Sequence, residues 1–242
     1  MSVDIPLTGK SIDNCLKELG KEFRRLSGKT TPAEIILIGG AAVLLNYGFR
    51  DVTYDIDAVV NASSAMKEAA NHVGDKLGLQ NGWLNMDFKK TKSYSEKLIQ
   101  ISVYHKTYSN VLTVRAVAAE YLVAMKLMSG RKYKYDLSDV AGILSEHEKS
   151  GKPISRSDID RAMKELYGGW RDVPESSIEL IDTAFASGDY QKAYQETRLN
   201  EVEAKEILLD FDKDYPGALT ADNLNEVLSE ARQKQKKQEE KI

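Results

Sequence analysis

Between residues 34 and 60 the chain changes its hydrophobic rhythm twice, and the order of those changes limits what it can fold into. Glu34-Ile35-Ile36-Leu37-Ile38 is a short, strongly apolar run that reads as a buried strand. Gly39-Gly40 interrupts it, and Ala41-Ala42-Val43-Leu44-Leu45 then reads as a helix. The next segment, Thr53-Tyr54-Asp55-Ile56-Asp57-Ala58-Val59-Val60, sets two acids among apolar residues in the manner of a second strand.

Asp55 and Asp57 stand at i and i+2, so in a strand they share one face about 6.5–7 Å apart along the chain. Both carboxylates can then turn toward one magnesium ion, or toward the two ions of a phosphoryl-transfer site. Burying part of such a like-charged pair without a cation is unfavourable. A strand that runs through two glycines into a helix presents bare N–H groups suited to phosphate oxygens. Alone, Gly39-Gly40 reads as a plain turn and Asp-x-Asp as a solvated strand face. Together they set a phosphate cradle beside metal carboxylates, as transfer of a nucleotidyl group from a triphosphate requires.

In this pattern the chain resembles the nucleotidyltransferase superfamily of the DNA polymerase β type: Gly39-Gly40, a helix, then Asp55-x-Asp57 on a strand. It is similar in particular to the bacterial AbiEii-like group, which includes toxins of type IV toxin–antitoxin systems. In that group an Arg and a Ser or Thr precede the acids, and Arg50 and Thr53 match them here with one extra residue between. A later helix carries a Lys and leads to an Asp-rich helix start, matched by Lys126 in residues 120–128 and by Asp136 and Asp139 in residues 134–140. The resemblance covers roughly residues 30–145. It implies a mixed-sheet α/β (α+β) nucleotidyltransferase domain in residues 1–150, with a helical region in residues 151–242.

The resemblance also implies roles. Asp55 and Asp57 would bind Mg2+, Gly39 and Gly40 would hold the triphosphate of an NTP, and Arg50 and Thr53 would approach it or support the acids. Lys126 would contact phosphate, and Asp136 would orient Lys126 or the attacking hydroxyl. Read from the residues alone, Lys126 is a lysine snorkelling from an apolar helix stripe, and Asp136 and Asp139 are helix-start acids. The implied acceptor is RNA, tRNA ends among them, or a protein side chain, with a cognate antitoxin as partner. Many superfamily members carry a third carboxylate on a later strand. Residues 97–104, read as that strand, offer Gln100 and Ser102 instead, neither of which takes a proton at neutral pH. AbiEii-like members tend to lack this acid too. The competing reading is a catalytically inert module that binds nucleotide or a protein partner.

A net charge of −3 gives no global case for nucleic-acid binding. Lys89, Lys90, Lys92, Lys97 and Lys106 can form a local track, although Glu96 interrupts them and a solvated surface is the plainer reading. His72, His105 and His147 lack zinc-ligand spacing. A single cysteine, Cys15, falls on the apolar stripe of a first helix with Ile12, Leu16, Leu19, Phe23 and Leu26. No signal-peptide pattern opens the chain and no run approaches the roughly 20 apolar residues of a membrane span, so a cytoplasmic protein is expected. Further helices are predicted over 63–77, from 116 onward, and over 156–167, 175–186, 190–211 and 223–241, the last ending in a polar tail. Two more strands are predicted over 98–104 and 111–115.

Overall fold

The computed structural model describes residues 6–91, 94–220 and 223–239. Helix α1 (Gly9–Ser27) opens with a capping box, in which Thr8 and Ser11 satisfy each other's backbone N–H groups, and closes at Gly28. Its stripe Ile12, Cys15, Leu16, Leu19 and Phe23 is buried, and Phe23 is among the largest wholly enclosed side chains. Each such side chain contributes roughly 1.5–3 kcal/mol of burial.

Five strands form one mixed sheet in the order β3-β2-β1-β5-β4. Strand β1 (Ala33–Leu37) is central, antiparallel to β2 (Ile56–Asn61) and parallel to β5 (Leu112–Val117). Helix α2 (Gly39–Asn46) leaves the end of β1 directly. Because β2 returns antiparallel, its first residues lie beside that helix start: Leu37 faces Ala58, and the Ile38 N–H donates to the Asp57 carbonyl at 3.0 Å. Residues 53–60 were read as one strand, but Thr53 makes only an isolated bridge to Leu7, and the regular strand begins at Ile56.

Helix α3 (Ala65–Leu77) follows, with Ser64 at its N-cap making no side-chain bond to the helix and Gly78 closing it in the left-handed region. A two-residue strand, β3 (Leu84–Asn85), then pairs in parallel with Ile56 and Asp57. The strand predicted over 98–104 is corrected. Residues Glu96–Ile99 form a 3-10 turn held by the Ser95 side chain, which buries Leu98, and β4 (Ser102–Tyr108) starts only after it.

The remainder is helical: α4 (Ala119–Ser129), α5 (Asp136–Lys149), α6 (Arg156–Tyr167), α7 (Glu175–Ser187), α8 (Tyr190–Asp214) and α9 (Leu224–Glu239). One apolar core runs from Leu7 through the sheet and α4–α5 to Ile159, Met163 and Ile181 of α6 and α7. A second, small cluster of Ala204, Leu208 and Leu228 joins α8 to α9, while α8 also lies along α5. No helix among the described residues is long and apolar enough to cross a membrane.

Candidate active site

The site lies where the ends of β1 and β2 meet the start of α2. Ile56 and Ala58 are buried on one face of β2 and Asp57 falls on the other; Asp55 stands just before the strand, and both acids are partly accessible. Gly39 and Gly40 are the first two residues of α2, after an extended Ile38 that supplies no side-chain cap. The first N–H groups of a helix have no partner within it, so this end offers free donors. Both glycines are required sterically. Gly39 has φ +60°, and a Cβ there would sit 2.8 Å from Asp57 Oδ2. A Cβ on Gly40 would come within 2.7 Å of both the Arg50 guanidinium and Thr53 Oγ1. The glycine pair, Asp57, Arg50 and Thr53 therefore converge.

Burial pushes the Asp57 carboxyl above its ordinary value, and the charge of Asp55 pushes it further. Asn85 opposes this by donating from Nδ2 to Asp57 Oδ1 at 2.8 Å. Asn85 is also the register partner of Asp57 on the neighbouring strand β3. That corrects the expectation about a third acid. Residues 97–104 do not flank the acid-bearing strand: β4 is the far edge of the sheet, and Ser102 is occupied with the Ile99 carbonyl and Arg115. The position across from Asp57 holds an amide, which cannot accept a proton at neutral pH.

Thr53 is buried, and its hydroxyl donates to the Asp55 carbonyl at 3.3 Å, so it braces the backbone that carries the acids. Arg50 is largely buried; it donates to the Val52 carbonyl at 3.1 Å and forms a short ion pair with Asp139. Its charge is thus already matched.

Lys126 does not snorkel. It is 7% exposed, its Nζ donating to Asp136 Oδ1 at 2.9 Å and lying 2.8 Å from Asp139 Oδ2. Arg131 completes the chain, donating from Nε to the second Asp136 oxygen at 2.7 Å. Burial alone would lower the Lys126 ammonium and raise the Asp136 carboxyl. The Asp136 and Asp139 charges outweigh burial at Lys126, raising its pKa, and Lys126 with Arg131 holds Asp136 down at about 2. Lys126 and Arg131 both reach Asp57 electrostatically and favour its ionised form.

Several of these residues were not singled out from sequence. Arg131 and Asn85 sit in a turn and a two-residue strand with no pattern to mark them. Asp139 was read only as a helix-start acid, although its i+3 spacing from Asp136 sets both on one helix face. The lysines proposed as a track have scattered partners: Lys90 pairs with Asp87, Lys97 donates to the Glu165 carbonyl and Lys106 pairs with Asp13. Lys92 lies outside the described residues. Among the described residues no group of three or more His, Cys, Asp or Glu side chains is arranged to hold a metal ion.

A mixed sheet with a glycine pair opening α2 and two acids at the start of the adjoining strand defines a nucleotidyltransferase fold, followed here by further helices. The chain belongs to the family described as nucleotidyltransferase of unknown function (DUF6036), which matches residues 14–146. No curated protein and no solved structure matches it.

Proposed function

We propose that the protein is a Mg2+-dependent enzyme that moves a nucleotidyl group from an NTP to an acceptor hydroxyl. The observation that carries this reading is the approach of Asp57 Oδ2 to Gly39, with Asp55 near enough for its charge to act on Asp57. The pair fits magnesium. Burial and the neighbouring Asp55 charge raise the Asp57 pKa, and Mg2+ is ordinarily held by one or two carboxylates with water and substrate phosphates completing its shell. Bound there, the ion would withdraw charge from the phosphate under attack and from the leaving pyrophosphate.

The chain's own residues do the rest. The free N–H groups at the start of α2 hold phosphate oxygens, with Gly39 and Gly40 letting them approach. Lys126 contributes a fixed positive charge, kept protonated and immobile by Asp136 and Asp139. Asp136 is therefore a positioning residue, and Arg50 and Thr53 fix the geometry of the acid loop. The acceptor is RNA, a tRNA end included, or a protein side chain, in a cytoplasmic setting. A toxin partnered by a cognate antitoxin is the biological role the resemblance suggests.

The test is incubation with labelled NTPs, Mg2+ and total cellular RNA or protein. Label should transfer with wild type and be lost with Asp55→Asn. One observation favours the inert module: Asn85 stands where a proton-accepting carboxylate would face Asp57. Titration of Mg·NTP into both proteins separates the readings, because binding indifferent to Asp55→Asn supports the module.

A further inference from the structure

Helix α8 lies outside the matched family region, yet one of its faces packs against segments that adjoin the site residues. Tyr194, Arg198, Glu201 and Lys205 follow spacings of four, three and four, a single helical stripe. Each touches a segment next to a site residue. The Tyr194 hydroxyl donates to the Phe49 carbonyl at 3.0 Å. Glu201 is 2% exposed, and its Oε1 accepts from the N–H groups of Leu137 at 2.9 Å and Ser138 at 3.3 Å. These three bonds anchor the helix to the Arg50 loop and to the start of α5.

The other two members are of a different kind. The Arg198 guanidinium carbon lies 3.4 Å from the centroid of the Tyr135 ring. Lys205 Nζ lies 5.6 Å from the centroid of Tyr54. Tyr135 directly precedes Asp136, and Tyr54 directly precedes Asp55. Among the described residues, neither cation is paired with a carboxylate, whereas Arg50, Lys126 and Arg131 are all matched by Asp136 and Asp139. A guanidinium stacked on a ring is held flat while its edge donors stay free, the state that suits a phosphate. Seven residues of helix set the two cations about 10 Å apart along the axis.

We infer that Arg198 and Lys205 are anion-binding residues, so that α8 forms a wall of the site and grips phosphate groups of its ligand. The assignment of that anion as a nucleotide phosphate rests on the proposed transferase reading; the contact itself does not.

The experiment titrates inorganic tripolyphosphate, then ATP, then a short single-stranded oligoribonucleotide without terminal phosphate, all in EDTA so that Asp55 and Asp57 hold no metal. Wild type is compared with Arg198→Gln, Lys205→Gln and the double variant. Arg198→Lys keeps the charge, and Lys192→Gln on the same helix serves as a control. Each neutralising change should weaken binding about tenfold, the loss of one charged hydrogen bond. Lys192→Gln should leave it unchanged, and Arg198→Lys should retain most of it. Weakening confined to tripolyphosphate and ATP assigns the wall to the donor nucleotide. Weakening that extends to the oligoribonucleotide assigns it to a phosphodiester chain as well. Wild type that binds none of the three, or a folded double variant that binds all three unchanged, overturns the inference. An Asp55→Asn/Asp57→Asn protein should still bind tripolyphosphate; wild type that binds tripolyphosphate through Arg198 and Lys205 yet transfers no label from any NTP would remove the transferase reading and leave this one standing.

Discussion

Replacing Glu201 by Gln should remove a pH dependence of stability that the wild-type fold carries. Burial pushes the Glu201 carboxyl from 4.5 up to about 7, with a smaller push from Asp139, while the N–H groups of Leu137 and Ser138 pull it down. Its second oxygen is buried without a partner. The folded-state pKa lies above the unfolded one, so the contribution is complete below the unfolded value and is lost as pH rises through about 7. A shift of that size corresponds to about 3 kcal/mol at full ionisation, of which roughly 1 kcal/mol falls between pH 6 and pH 8. For a chain of this length that is about 2–4 °C in melting temperature. Glutamine keeps an oxygen for both N–H groups and does not titrate. Thermal unfolding of both proteins across this range, taken as a difference, cancels the histidines they share. A variant with the same pH slope as wild type would refute the argument.

Two further perturbations probe the site. Gly39→Ala and Gly28→Ala both place a Cβ at positive φ, at a cost of about 1–3 kcal/mol each. Only the first meets Asp57, so Mg2+ affinity measured by calorimetry should fall for Gly39→Ala and hold for Gly28→Ala. Asp136→Asn leaves Lys126 and Arg131 short of a shared partner, and denaturant unfolding should show a loss of about 3–5 kcal/mol. A loss below about 1 kcal/mol would mean that the buried network is not what holds α4 to α5.

Local pattern made part of this molecule readable. The run of residues 34–38, the glycine pair and the alternation around Asp57 each follow from short-range periodicity, and the first strand and the helix appear as expected, with the second strand regular from Ile56 onward. The stripe of α1 with Cys15 buried is legible for the same reason. Tertiary pairing hid the rest. Strand β3 is two residues long and exists only because Ile56 and Asp57 offer it an edge, so nothing in residues 84–85 announces Asn85 as the neighbour of Asp57. Leu98 looks like strand interior because it is apolar, but a 3-10 turn buries it equally well. Sequence marks Lys126 and Asp136 as polar residues in apolar surroundings. That they form a closed network with Asp139, Arg131 and Arg50 depends on how α4, α5 and the acid loop pack. The α8 stripe is charged and aromatic, without an apolar period to flag it as facing inward.

The most direct measurement is anomalous diffraction from crystals grown with Mn2+ and a non-hydrolysable NTP. The account expects an anomalous peak bridging the carboxylates of Asp55 and Asp57, with phosphate oxygens against the N–H groups of Gly39 and Gly40. A saturated crystal with no peak between those carboxylates, or with the nucleotide bound away from α2, would contradict it.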